Sequence, residues 1–423
     1  MTQDFEAKTI IVIGAGIVGA CTAIQLLQDG HRVVLLEKDA PGSGASSGNA
    51  GSIGTASIPP FGMPGVYKKI PKALFDPLFP LVLRWGNILN TLSWFQKLIS
   101  ASDLARVIKI SDARASILAH AEGTYLDMLG SLNLQHLINK TGLIHTYQNQ
   151  SSLSNAKFAI ALREDRGINV ETLNGHELRE VEPMITDNVY AGVYYPDVGT
   201  CFAPGRMNTL IVDAFVKRGG TFLKAEVNDF ELLHGRCTNV ITDSGDHPCD
   251  ELVLTAGAWS KGMAKTLGCS VSLTAERGYH IMVDQPKTRL TTPLVSTDYH
   301  IAITPMEAEI RMSTMSEFSS ISDSEIHQKA QLILSQARHV IRDIDLHPNS
   351  RWVGPRPATP DSLPIIGRSR NLKNVIFAFG HGHLGLSLAP ITGKLVAEIC
   401  REAKTTIDIT PFSPNRNFTG DHL

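Results

Sequence analysis

Three stretches of this chain predict an α/β fold that opens with a Rossmann-like unit. The first is "TIIVIGAGIVGACTAIQLL", Thr9 to Leu27, uncharged throughout and carrying G-x-G-x-x-G at Gly14, Gly16 and Gly19. The second is "HRVVLLEK", an apolar run closed by Glu37, eighteen residues after Gly19. The third lies near the other end. "NVIFAFGHGHLGLSLAPITGKLVAEI" has the composition of a buried strand from Val375 to Phe379. Glycines follow at 380, 382 and 385, then a helical pattern to about Ile399.

The first run is nearly long enough for a membrane helix, which needs about 20 apolar residues. Its glycines suit a strand turning sharply into a helix instead, and Ile10 to Ile13 has the β-branched character of a strand buried on both faces. Asp4 and Glu6 occupy the place of a signal peptide's positive region, and no small-residue cleavage site follows. In a dinucleotide fold the first glycine permits the tight turn. The second lets backbone approach the pyrophosphate, and the third lets helix and strand pack closely. The acid at the end of the second strand accepts hydrogen bonds from ribose hydroxyls, so Glu37 completes the pattern.

The chain has 423 residues, enough for two domains. It is 43% hydrophobic and 19% charged, as in a globular enzyme, and a formal net charge of −2 gives no sign of nucleic-acid binding. Six scattered cysteines, without C-x-x-C, argue against a zinc site or a disulfide framework. No metal is expected, and a cytoplasmic or cytoplasm-facing location is the simplest reading.

Glu37 suits NAD or FAD alike. "GSGASSGNAGSIG", Gly42 to Gly54, is too small and polar to pack as an element. Following directly on the second strand, it can lie along an extended ligand. The glycine turn after Val375–Phe379 adds a second helix N-terminus, whose positive potential suits the N1 and C2 carbonyl side of an isoalloxazine ring. Together these favour FAD.

"LTAGAW" (254–259), "ERGYH" (276–280), "GPRPATPDSLPIIG" (354–367) and "FGHGHLG" (379–385) then carry a resemblance. With the first glycines, they make the sequence similar along nearly its whole length to the D-amino-acid oxidase family of FAD-dependent oxidoreductases. Within it, bacterial D-amino-acid dehydrogenases are most similar. The resemblance implies a Rossmann-like FAD domain interleaved with an antiparallel-sheet substrate domain. The FAD domain would take 1–58, 155–228, 250–272 and 350–423, and the substrate domain 59–154, 229–249 and 273–349. It implies FAD contacts at Gly14, Gly16, Ile17, Val18, Gly19, Glu37, Lys38, Ser46, Ser47, Asn49, Ala50 and Gly51. It adds Val227, Ala256, Gly257, Gly382, His383, Leu384, Gly385 and Leu386.

For the substrate, the resemblance implies hydride transfer from an amino-acid Cα to flavin N5, with the carboxylate gripped by a guanidinium through two parallel hydrogen bonds. Arg356 is the first candidate; a structural ion pair with Asp361 is the alternative. Tyr299, His280 and His383 are further catalytic candidates, with His300 and His381 beside them. Relatives often carry a second arginine where this chain has Pro305 and Met306, so Arg311 becomes a candidate substitute. The "TPME" variant is similar to D-hydroxyproline dehydrogenases and favours D-proline-like imino acids. Three functions compete: a dehydrogenase passing electrons to a quinone or other acceptor, an oxygen-using D-amino-acid or glycine/sarcosine-type oxidase, and a non-catalytic flavoprotein subunit.

Residues 61–110 hold seven Lys or Arg among Phe61, Tyr67, Phe75, Phe79, Trp85, Trp94 and Phe95. That mixture fits either peripheral contact with an anionic membrane or a helical excursion packed on the substrate domain.

Overall fold

The computed structural model describes residues 7–418, apart from 77, 78, 80, 85, 87, 327 and 346. Trp85 of the basic segment therefore lies outside the described residues.

The first glycine motif folds as its composition dictates. The strand Thr9–Ile13 is followed by the helix Ile17–Gln28 and the strand Arg32–Glu37, with Ile10 beside Val33 in parallel register. These strands centre a six-stranded sheet. Its order is Thr221–Lys224, Arg32–Glu37, Thr9–Ile13, Glu251–Leu254, Val375–Phe379 and Ile365–Arg368, parallel except for the last strand. The central strands are buried on both faces, which is why they read as continuous apolar runs. The C-terminal pattern forms the strand Val375–Phe379 and the helix Gly385–Cys400, which shares one core with Ile17–Gln28.

A second, larger sheet stands over the glycine-rich end. Ser350–Ala358, Thr274–Asp284, Glu309–Phe318, Ile301–Pro305 and Leu294–Ser296 run antiparallel in that order. The sheet continues through Leu143–Tyr147, Ala191–Tyr195 and Glu171–Asn174, with Leu81–Leu83 pairing on Glu309–Phe318. Helix Gln328–Ala337 covers its other face through Ile333, Leu334 and Ala337, packed with Ile281, Ile303 and Met312.

The fold is thus a Rossmann-like sheet interleaved with a mainly antiparallel one. Strands 171–174, 191–195 and 350–358 belong to the larger sheet. Residues 229–249 build most of a meander of Val227–Leu233, Arg236–Thr242 and Gly245–Pro248. Its Phe230, Cys237 and Val240 share a core with Ile11, Leu252 and Phe377 of the parallel sheet. Apolar burial, not chain continuity, sets that allegiance.

The basic segment is divided too. Trp94, Phe95 and Leu98 are buried against Phe318 and Ala358, and the Trp94 indole donates to the Ala358 carbonyl at 3.1 Å. Tyr67, Phe75, Leu92 and Leu104 stay exposed. Among the described residues no helix is long and apolar enough to cross a membrane.

Candidate functional site

Between the two sheets lies a cavity of about 750 Å³. Its near end is built by the first glycine turn. Gly14 has φ +101°, and an added Cβ would lie 2.9 Å from the Thr255 carbonyl oxygen. A Cβ on Gly19 would sit 1.8 Å from the Gly14 carbonyl oxygen, so helix and strand touch at backbone distance. The Glu37 carboxylate accepts the Ala15 amide at 2.8 Å and the Asp39 amide at 3.1 Å, holding it at the mouth of the turn.

The 42–54 segment is ordered by contacts from afar. Gly42 N–H donates to the Ala15 carbonyl at 3.0 Å, and Ile17 N–H donates to the Ser46 hydroxyl at 2.9 Å. Gly54 N–H donates to the Ser387 hydroxyl at 2.7 Å. Arg311 reaches in from the larger sheet and donates to the carbonyls of Ser47 (2.8 Å) and Asn49. Burial lowers the Arg311 pKa to about 10.

Of the expected cofactor residues, all but Gly19, Ser47 and Gly51 line the cavity. Those three act behind the wall: Gly19 at the helix–strand contact, Ser47 through its carbonyl to Arg311, and Gly51 packed on the Cys201 carbonyl. At Gly257 and Gly382 an added side chain would meet no protein atom within 4 Å, so these small residues keep the cavity wall clear.

At the far end Arg356 and His383 line the cavity, with Thr304, Ser313, Thr314 and Ser316 from the larger sheet. Both meet a residue that sequence reading passed over within its own "ERGYH" block. Glu276 is 2% exposed, and its Oε1 accepts from Arg356 Nη1 at 3.3 Å, from His383 Nε2 at 2.7 Å and from the Ser316 hydroxyl. Burial alone would raise the Glu276 pKa. The His383 and Arg356 charges, with the hydrogen bonds from His383 and Ser316, outweigh it and hold the pKa at about 2. The available signal was a Glu-Arg pair inside an apolar strand. Side chains alternate across a strand, so Glu276 faces the cavity wall while Arg277 turns to a separate buried cluster with Glu317 and Lys329. Asp361 does not pair with Arg356; it is held by Arg416 at 2.7 Å.

Arg311, His280 and Tyr299 do not line the cavity. Arg311 is committed to the 42–54 loop. His280 stacks on Trp352 with centroids 5.0 Å apart, and burial first, then Arg311, lowers its pKa to about 3. Tyr299 stacks on His339 at 5.1 Å on the outer side, although its neighbour His300 lines the cavity. His381 also lines the cavity, while its Nε2 bonds the Thr392 hydroxyl at 2.9 Å and burial lowers its pKa to about 3. Pro305 and Met306 do not line the cavity either; Met306 is buried beside Gly51. His145, unremarked in the sequence, lines the cavity with Leu143 and Leu294, and burial brings its pKa to about 3.

Comparison with known proteins agrees with this geometry. The family model described as DAO, FAD dependent oxidoreductase, matches residues 9–399. A D-amino-acid oxidase of Bradyrhizobium diazoefficiens is 32% identical over 418 residues, covering 97% of this chain and 99% of that protein. A D-amino acid dehydrogenase of Rhizobium rhizogenes is 26% identical over 425 residues, covering 96% and 99%. The crystal structure of glycine oxidase from Geobacillus kaustophilus superposes with a TM-score of 0.78 at 22% identity, over 98% of this chain and all of that one.

Proposed function

Since the chain belongs to the DAO family of FAD-dependent oxidoreductases, we propose that it oxidises a small D-amino acid whose carboxylate is held by Arg356. The observation that carries this reading is the placement of Arg356 on the cavity wall at the far end from Glu37. The names of the two curated relatives support the D configuration.

The residues present fit FAD. The cavity runs unbroken from Glu37 and Val227 to His383, and small residues at 16, 257 and 382 leave room along it. Gly14, Gly16, Ile17 and Val18 would hold the pyrophosphate, Glu37 and Val227 the adenosine, and Gly382 to Leu386 the flavin side. When bound, FAD supplies a two-electron acceptor for the hydride from the substrate Cα. The chain's own work is placement. Arg356 offers a planar fork to the carboxylate, and Glu276 fixes that fork from behind. Leu143, Leu294 and Ile301 give an apolar wall that limits water around the reacting carbon. The separation of an FAD unit from a substrate unit follows the two sheets.

Compact side chains suit this wall, which supports alanine- and proline-like substrates over long charged ones. Pro305 and Met306 give no support to a proline ring, because neither lines the cavity. In anaerobic mixing, flavin bleaching is expected to be at least ten-fold faster with D-alanine, D-proline or cis-4-hydroxy-D-proline than with D-lysine. Faster bleaching by D-lysine would overturn the size argument. Reoxidation of the reduced enzyme by a quinone faster than by oxygen would assign it as a dehydrogenase; the reverse order would assign an oxidase.

Peripheral membrane contact is a second proposal, favoured by one observation. Half of the exposed large apolar side chains among the described residues fall between 61 and 108, including Phe75 and Tyr67. Several basic residues there are already engaged, since Arg84 pairs with Glu317 and Lys97 bonds to Ser272. Co-sedimentation with anionic liposomes should therefore persist partly in high salt, because electrostatic attraction adds only about 1 kcal/mol per available basic residue. Full recovery in the supernatant would leave the segment as packing alone.

A further inference from the structure

We propose that Arg114 and Arg163 are positioning residues for the flavin: two buried cations, fixed behind the cavity wall, that raise its tendency to take up electrons. The inference rests on the reading of the cavity as a flavin site with Gly382 to Leu386 at its flavin side.

Two observations lead to it. The first is where the side chains end. Arg114, on the helix Leu104–Leu118, donates to the Ser57 carbonyl through Nη2 at 2.6 Å and to the Ile58 carbonyl through Nε at 3.0 Å. Its Nη1 donates to the Ser362 carbonyl at 2.8 Å. Arg163, on the helix Lys157–Glu164, donates to the Ala56 carbonyl at 2.8 Å and to the Ala159 carbonyl at 2.6 Å. Guanidiniums from two helices thus hold the consecutive carbonyls of Ala56, Ser57 and Ile58. Ser57 lines the cavity, as does Gly54, whose N–H reaches Ser387 in the first turn of Gly385–Cys400. The cations therefore stand behind the wall at its flavin side.

The second observation is that neither charge is balanced. Arg114 is 7% exposed and Arg163 9%. Among the described residues both bond only to backbone carbonyls, and neither forms an ion pair with a carboxylate. Asp361, the acid whose charge acts on Arg114, is already matched by Arg416 at 2.7 and 3.0 Å. Around Arg163 stand the phenols of Tyr147 and Tyr195, which burial keeps protonated. Burial, and then repulsion from Arg163, lowers the Arg114 pKa only to about 10, so the charges persist at neutral pH.

Burying an unpaired charge is costly, and a carbonyl needs no more than a neutral donor. What a cation adds is its field. Reduction places negative charge on a flavin, and a fixed positive charge in a site shielded from water favours that change.

The test is the reduction potential of the FAD-loaded protein, measured anaerobically against a reference dye. Arg114→Met removes the charge from a side chain of similar reach. Its reduction equilibrium is expected to move about ten-fold toward oxidised flavin, which is about 30 mV for a two-electron couple. Arg114→Lys keeps the charge but loses the fork, so it should melt earlier than wild type and still hold the wild-type potential. An unchanged potential in Arg114→Met overturns the inference. An equal fall in Arg114→Met and Arg114→Lys overturns it too, and assigns the arginine to the fold alone. Arg163→Met and Arg163→Lys repeat the comparison, and they decide alone if the Arg114 variants lose flavin. Failure of the underlying reading is distinguishable: wild type would then hold no flavin after reconstitution, whereas the present inference fails with flavin bound.

Discussion

Arg356→Ala is expected to lose most amino-acid turnover while retaining FAD. The substitution removes the fork that grips the carboxylate and one of the cations on Glu276 Oε1. Breaking a buried charge pair from one side typically costs about 3–5 kcal/mol, so kcat/KM should fall by more than a hundred-fold. Arg356→Lys keeps the charge but loses the planar pair of donors. It should lose roughly 1.5–3 kcal/mol of transition-state binding, on the order of ten- to a hundred-fold. Flavin content should match wild type in both. Steady-state kinetics with D-alanine, beside the flavin-to-protein absorbance ratio, check this. Unchanged kcat/KM in Arg356→Lys would mean that Arg356 serves the fold and not the substrate.

The second large effect concerns the glycine turn. Gly19→Ala should destabilise the protein by roughly 3 kcal/mol or more and release FAD. The added Cβ would lie 1.8 Å from the Gly14 carbonyl oxygen and 2.6 Å from the Thr255 hydroxyl. Neither can move freely, because the Thr255 hydroxyl itself donates to the carbonyls of Ile13 (2.7 Å) and Gly14 (3.0 Å). Gly262→Ala is the matched control. That glycine sits in the helix Ser260–Thr266 with nothing within 4 Å, and alanine there should add up to about 1 kcal/mol. Thermal melts read by flavin fluorescence should place the two variants on opposite sides of wild type. Equal melting temperatures would mean that the contact at Gly19 relaxes without consequence.

Local chemistry explains what the sequence made legible. The strand Val375–Phe379 and the turn after it were readable because five apolar residues followed by glycines admit few alternatives. Long-range pairing stayed hidden. Glu276 meets Arg356 across 80 residues and His383 across 107, and no local pattern encodes such a meeting. Arg311 read as a spare cation for the substrate because its partners, the Ser47 and Asn49 carbonyls, are backbone groups more than 260 residues away. The meander at 227–248 is a further case: its Phe230, Cys237 and Val240 meet Ile11 and Leu252 of the parallel sheet and Phe377 from far along the chain.

Flavin reduction by the two enantiomers of alanine, mixed anaerobically with the FAD-loaded protein, tests the central claim most directly. The account predicts complete bleaching by D-alanine, slowed at least ten-fold in Arg356→Lys, and no bleaching by L-alanine on the same timescale. Bleaching by L-alanine at a comparable rate, or by neither enantiomer, would contradict it.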